Sequence, residues 1–94
     1  MKSRVLPEGM WQEEIEDFKQ KSKVFFRRLE DANTLAELNI LSNDVFRDKD
    51  RRWIKMTKSL SPDLLGEVWF SYFEPIYDEL EQGIRKKIRL LSVD

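Results

Sequence analysis

Apolar side chains recur at steps of three and four residues in the first third of the chain. The positions that keep this spacing are Trp11, Ile15, Phe18, Phe25 and Leu29, and Ser22 takes the one missing place. At about 100° of rotation per residue they form one stripe, which is typical of an amphipathic helix. This pattern predicts a first helix from about Met10 to Ala32. Residues 1–9 include Pro7 and Gly9 and show no such period, so we expect them to form a flexible lead-in.

A capping box marks the start of the second predicted helix. Thr34 can accept from the backbone three residues on, while Glu37 reaches back to the threonine N–H. The apolar arc that follows consists of Leu35, Leu38, Leu41, Val45, Phe46, Trp53, Met56 and Leu60. We therefore predict one long helix over 34–60. The alternative is a break within 42–50, because Ser, Asn and Asp are poor residues for a helix interior.

The third helix is predicted to begin at Pro62, since Ser61 can cap it and proline suits the first helical position. Its apolar residues continue to Leu91, which places the end of the helix near residue 92. Pro75 lacks a backbone donor and its ring collides with the preceding turn. We expect a kink or a break at Glu74-Pro75.

Short links at about 31–33 and 60–61 imply that neighbouring helices run antiparallel. The predicted fold is therefore all-α, an antiparallel three-helix bundle with a single domain over 10–94. The number of helices rises to four or five if the 42–50 segment or Pro75 breaks its helix. The predicted core consists of Trp11, Ile15, Phe18, Phe25, Leu29, Leu38, Val45, Trp53, Met56, Val68, Trp69, Ile76 and Leu80.

Composition restricts the chemistry that the chain can perform. Of its 94 residues none is cysteine or histidine, which removes thiolate chemistry, the commonest general base and the commonest zinc ligand. We therefore expect no metal, no cofactor and no enzyme activity of the usual kinds. With 17 basic and 18 acidic residues the net charge is −1, so no global field attracts nucleic acid. No apolar run is long enough to cross a bilayer, and we expect a cytoplasmic protein without a membrane partner.

The segment from Val68 to Tyr77 is apolar in almost every direction around its helix. Such a helix is buried nearly all round, by its own chain or by a partner. We interpret it as the surface of a homodimer or of another protein complex, with Phe70 and Tyr77 as anchors, Phe73 beside them, and Glu74 and Asp78 as charged edges. The alternative is that the segment is simply core.

Charged side chains provide two further candidate sites. Arg47, Arg51, Lys55 and Lys58 share one face of the second helix and are candidate contacts for nucleic acid or an acidic partner, although a solvated face is the plainer interpretation. Lys49 and Arg52 fall near the apolar arc of the same helix. They are candidates for an anion pocket, the alternative being that their charged ends reach water.

The preferred hypothesis is a non-enzymatic helical interaction module, such as an adaptor, inhibitor or regulatory subunit, acting as a homodimer. Its basis is the excess of aromatic residues combined with the missing catalytic chemistry. A nucleic-acid-binding accessory protein that uses the basic series is the second hypothesis. A small all-α enzyme that holds an anionic substrate with Lys49 and Arg52 is the third.

Overall fold

The computed structural model describes the backbone of residues 6–92 and the side chains of residues 12–92. Its elements are α1 (Leu6–Asp31), α2 (Leu35–Ser59), α3 (Pro62–Val68), a π-helical turn (Trp69–Phe73) and α4 (Glu74–Ser92). The last three join into one continuous helix, and the described backbone contains no strand. The all-α class and the three predicted helices are confirmed. α2 runs without a break through 42–50.

Helix α1 begins at Leu6, earlier than the predicted start at Met10. Proline is tolerated in a first helical turn because the backbone donors there have no partner within the helix. Pro7 is therefore compatible with this start. Residues 6–9 belong to α1, whereas the rest of the expected lead-in lies outside the described residues.

The predicted capping box closes the start of α2. Thr34 Oγ1 accepts a hydrogen bond of 3.1 Å from the Glu37 N–H, and Glu37 Oε1 accepts from the backbone N–H groups of Thr34 and Asn33 at 3.2 and 2.7 Å. The bond from the Asn33 N–H is the main cause that lowers the pKa of the Glu37 carboxyl, and the bonds from Thr34 add to it. The second link is also capped, because Ser61 accepts from the Leu64 N–H. Both links are short, as the antiparallel arrangement requires.

The third helix does not break at Pro75. Its hydrogen-bonding pattern changes from α to π in the turn just before this residue. In the π-helical turn the Glu74 N–H donates to the Trp69 carbonyl, five residues back. A wider turn makes room for a proline ring that would collide with a regular α-turn. It also advances the chain by less than 100° per residue, which rotates Leu65 and Val68 onto the arc that Phe73 and Tyr77 occupy. One buried face therefore runs through both halves of the helix.

The core forms where all three helices meet. As predicted, it buries Phe18, Phe25, Leu38, Val45, Met56, Val68, Trp69 and Leu80, while Ile15, Leu29 and Ile76 are half-buried. Trp53 is 38% exposed, so its predicted burial is wrong. Its ring packs on Trp69 on one side and is open to solvent on another. The side chain of Trp11 lies outside the described ones.

Helix α1 packs closely against α4 near their C-terminal ends. A Cβ atom added to Gly83 would come within 2.7 Å of Leu29 Cδ2, so the missing side chain permits this approach. Lys87 Nζ donates to the carbonyl groups of Leu29 and Glu30 at 2.6 and 2.8 Å. The C-terminal carbonyl groups of α1 are therefore satisfied by α4, and the two helices run in the same direction.

Candidate protein-binding groove

Helix α1 covers one side of the pair formed by α2 and α4, and the other side of that pair carries an open groove. The groove has a volume of about 700 Å³ and spans residues 42–53 of α2 and 69–88 of the third helix. None of the α1 side chains that are described, those of residues 12–31, lines it. Val45, Ile84 and Ile88 form part of its apolar lining. Within the described part of the chain, α1 covers the core on one side of the pair and no helix covers the other side.

Aromatic side chains are concentrated at one end of the groove. The rings of Trp53 and Trp69 meet edge to face with centroids 5.0 Å apart, and Trp69 also packs 5.3 Å from Phe73. Trp69 Nε1 donates a 2.9 Å hydrogen bond to Glu74 Oε1. The indole is therefore fixed both by packing and by a polar contact, which gives this part of the groove a rigid wall.

Two phenylalanine side chains that line the groove remain open to solvent. Phe46 is 67% exposed and Phe70 is 64% exposed. The sequence pattern places Phe46 on the apolar arc of α2. In the structure Leu41 and Val45 belong to the buried face of α2, and Phe46 lies on the groove side. Large exposed aromatic groups beside an apolar cleft mark a surface suited to binding.

Charged groups cross and border the groove. Lys49 Nζ lies 3.3 Å from Glu81 Oε2, so an ion pair links α2 to α4. Lys49 Nζ also lies 5.9 Å from the centroid of the Tyr77 ring. Asp50, Glu74 and Arg85 are the other charged residues of the lining. The groove therefore combines an apolar interior with charges of both signs, as protein interfaces commonly do.

On the opposite side of α2 lies a buried network around Arg52, which is only 4% exposed. Its Nε donates to the Tyr77 hydroxyl at 3.1 Å, and its Nη1 donates to the carbonyl and the carboxylate of Glu14. Its Nη2 donates to Asp17 and, at longer distance, to Asp48. The guanidinium carbon also lies 5.1 Å from the centroid of the Phe18 ring.

All five N–H donors of the Arg52 guanidinium therefore have acceptors within the chain. Burial opposes the charged form, but the bonds and charges of Tyr77, Asp48 and Asp17 raise the pKa of Arg52 above its ordinary value. Partial burial raises the pKa of Asp17, yet Arg52 and Lys21 outweigh this and hold it below the usual value. The network is a self-neutralised cluster with no donor of Arg52 left for an external anion.

The structure separates the two members of the expected anion pocket. Arg52 points toward α1, while Lys49 pairs with Glu81 across the groove. Both fall near the apolar arc of α2 as expected, but the helix turns them to different sides. Lys49 lines the groove, whereas Arg52 lines a separate depression between α1 and α2.

The predicted partner residues also divide between two environments. Phe70 and Glu74 line the groove, and Asp78 is exposed beside it with Gln82 Nε2 bonded to its carboxylate. Phe73 and Tyr77 are completely buried, with an exposed fraction of 0% each. Their assignment to a partner surface is wrong, because the π-helical turn brings both onto the core face, where they pack on Phe18.

The basic series of α2 lies on the exposed side of the helix. Arg47, Arg51, Lys55 and Lys58 are all exposed, and the Lys55 ammonium pairs with the Glu14 carboxylate of α1. Arg47 and Arg51 border a shallow depression between α1 and α2 together with Asp44 and Asp48. These cations are thus interleaved with acids and form no continuous basic surface.

Sequence reasoning did not identify Glu14 and Asp17 as partners of Arg52. The pair of Asp48 and Arg52 follows from the sequence alone, because the two residues are four apart in one helix. The groove as a whole was also missed, although Phe46 and Trp53 share one edge of the predicted arc.

Among the described side chains, no group of three or more acidic residues is arranged to hold a metal ion. None of the described helices is long and apolar enough to cross a membrane. The chain matches no protein-family model, and comparisons with curated proteins and with solved structures found no match.

Proposed function

We propose that this chain is a non-enzymatic helical protein–protein interaction module that binds an amphipathic helix in the groove between α2 and α4. The observation that carries the proposal is the empty side of this helix pair, where Phe46 and Phe70 stay exposed beside an apolar cleft. A helix whose apolar stripe faces Val45, Ile84 and Ile88 would complete a four-helix arrangement. Helix-in-groove recognition of this kind is a common mode of peptide binding.

The other two hypotheses have less support. A pocket for an anionic substrate needs free donors, whereas those of Arg52 are occupied by Glu14, Asp17, Asp48 and Tyr77. A nucleic-acid surface needs a field of one sign, whereas Lys55 is paired with Glu14 and the net charge is −1. Binding of an apolar helix face in the groove requires neither free donors nor a surface of one charge sign.

A library of amphipathic helical peptides provides the test. We expect selection on the immobilised chain to yield sequences with apolar residues at i, i+3 or i+4, and i+7. NMR shift changes should then map to groove residues. Phe70→Glu should weaken binding at least about tenfold, because it places a charge in the apolar contact.

Ile40→Glu is the matched control, since Ile40 is 57% exposed on the same chain but does not line the groove. It should leave peptide binding unchanged. Failure of a monomeric chain to select any peptide, or shift changes confined to other surfaces, would overturn the proposal.

A further inference from the structure

We propose that the natural occupant of the groove is a second copy of this chain, bound groove to groove about a two-fold axis perpendicular to the helices. This inference rests on the proposed function and specifies its partner. In such a dimer α2 lies antiparallel to α2 of the partner, and α4 lies antiparallel to α4 of the partner. The residues that line the groove must then match themselves in reverse order.

The aromatic positions of α2 meet this requirement. Phe46 and Trp53 are seven residues apart, which is two helical turns, so they lie on the same face of α2. Their midpoint falls between positions 49 and 50. Antiparallel pairing about that midpoint places Phe46 of one copy against Trp53 of the other, and it does so twice.

The charged residues of α4 also match themselves in reverse order. Glu74 and Arg85 both line the groove and are eleven residues apart, close to three helical turns. Their midpoint falls between positions 79 and 80. Antiparallel pairing about this point sets the carboxylate of Glu74 against the guanidinium of Arg85 in the other copy, again twice. Phe70 then lies at the level of Arg89 of the other copy, next to Ile88 of that copy.

Both midpoints lie at the same level of the bundle. The ion pair between Lys49 and Glu81 joins α2 to α4 next to both of them, with a distance of 3.3 Å. A single two-fold axis can therefore serve both helices. Glu81 lies near this axis at the level of Asp78 of the other copy, and Lys49 neutralises Glu81 within its own chain.

The size of the groove is compatible with a weak dimer. It extends for roughly 28 Å along the third helix and for roughly 17 Å along α2, from a rise of 1.5 Å per residue. With a width of about 10 Å per helix the footprint is roughly 450 Å² per copy, which is the size of the interfaces that transient complexes bury. The exposed rings of Phe46 and Phe70 contribute apolar area at its two ends.

Charge exchange between positions 74 and 85 tests the pairing. By light scattering after size exclusion, we expect the native chain to be a dimer at micromolar concentration. Glu74→Arg and Arg85→Glu should each raise the dimer dissociation constant at least about tenfold, since each sets like charges against each other. The double variant should restore the dimer. Within one chain the two positions are too far apart to compensate each other.

Single cysteines test the orientation, because the native chain has none. Asp50→Cys places a thiol near the axis and should give disulfide-linked dimers on mild oxidation. Arg51→Cys, at the adjacent exposed position outside the groove, is the control and should not. Cross-linking at 51 but not at 50, or a double charge variant that stays monomeric, would overturn the proposed axis.

The outcomes separate the second-copy proposal from the proposed function. A native chain that remains monomeric at about 100 µM while helical peptides still bind the groove contradicts the dimer and leaves the interaction module intact. A chain that neither dimerises nor binds peptides contradicts both. Circular dichroism of every variant should show unchanged helix content, so that loss of association is not loss of folding.

Discussion

The Tyr77 hydroxyl donates a hydrogen bond of 2.6 Å to Asp48 Oδ2 in the centre of the bundle. It joins α4 to α2 where both side chains are buried, and the same hydroxyl oxygen accepts from Arg52 Nε. A buried donor or acceptor is costly when its partner is removed. The pair is therefore a sensitive point for the stability of the fold.

Tyr77→Phe should lower the free energy of unfolding at pH 7 by about 1–3 kcal/mol, because Asp48 and Arg52 each lose a buried partner. Urea unfolding followed by circular dichroism measures the change. A loss below the error of the measurement would show that water replaces the hydroxyl.

The same variant should alter the response to alkali. Burial and the bond to Asp48 raise the pKa of Tyr77 above its ordinary value of 10.0. The hydroxyl therefore contributes its full stability below about pH 10. As the pH rises further, the unfolded chain loses this proton first, and stability falls by up to about 1.4 kcal/mol per pH unit. The native chain should lose its advantage over Tyr77→Phe in this range, whereas a constant difference up to about pH 11.5 would contradict the assignment.

Arg52→Met should destabilise the fold by up to about 3–5 kcal/mol, since it removes the buried cation of the cluster and leaves Asp48 only the half-exposed Lys21. Replacing the three buried members of the cluster with apolar groups, in Arg52→Met combined with Asp48→Leu and Tyr77→Phe, should recover most of that loss, because Glu14 keeps Lys55 and Asp17 keeps Lys21. Urea unfolding of both variants gives the comparison. If the triple variant is no more stable than the single one, the cost comes from the lost stacking of the Arg52 guanidinium on the Phe18 ring.

Two glycines provide a matched pair. A Cβ added at Gly66 meets nothing within 4 Å, so Gly66→Ala should stabilise α3 by up to about 1 kcal/mol through helix propensity. At Gly83 the new methyl group meets Leu29 Cδ2 at 2.7 Å, and Leu29 must move. Gly83→Ala should therefore raise the free energy of unfolding clearly less than Gly66→Ala does, or should lower it. Equal shifts of the thermal midpoint would show that α1 does not approach α4 as closely as described.

Two adjacent residues of α1 test the burial pattern. Phe25→Ala should cost about 3–5 kcal/mol, because the ring is buried in the core. Val24, its neighbour, is 56% exposed, and Val24→Ala should change stability by no more than about 0.5 kcal/mol. Chemical denaturation of both variants under one set of conditions decides whether the stripe is oriented as described.

Local signals in the sequence were sufficient for the three helices and for the two links between them, although α1 begins four residues before its predicted start. Thr34 with Glu37, and Ser61 with Pro62, each form a cap from residues close in sequence, so the pattern alone located both links. The periodic positions of Phe18, Phe25 and Leu38 were sufficient for much of the core.

The sequence pattern did not determine how each helix is rotated about its own axis relative to its neighbours. The features that were not predicted depend on this rotation. A uniform 100° rotation cannot include a π-helical turn, and this turn decides that Phe73 and Tyr77 face inward while Phe70 faces the groove. Glu14 and Asp17, the acceptors that α1 provides for Arg52, lie more than thirty residues from it in the sequence, and no local pattern predicts them. The groove is likewise a property of two helices together.

The contact of Lys87 with the end of α1 couples the first helix to the last one during folding. Residues 29 and 30 are synthesised long before residue 87, so their carbonyl groups stay hydrated until α4 has formed and docked. The start of α2, in contrast, carries its own cap in Thr34 and Glu37. The last turn of α1 therefore belongs to the cooperative unit of α4, and its amide protons should open to hydrogen exchange together with those of the C-terminal helix.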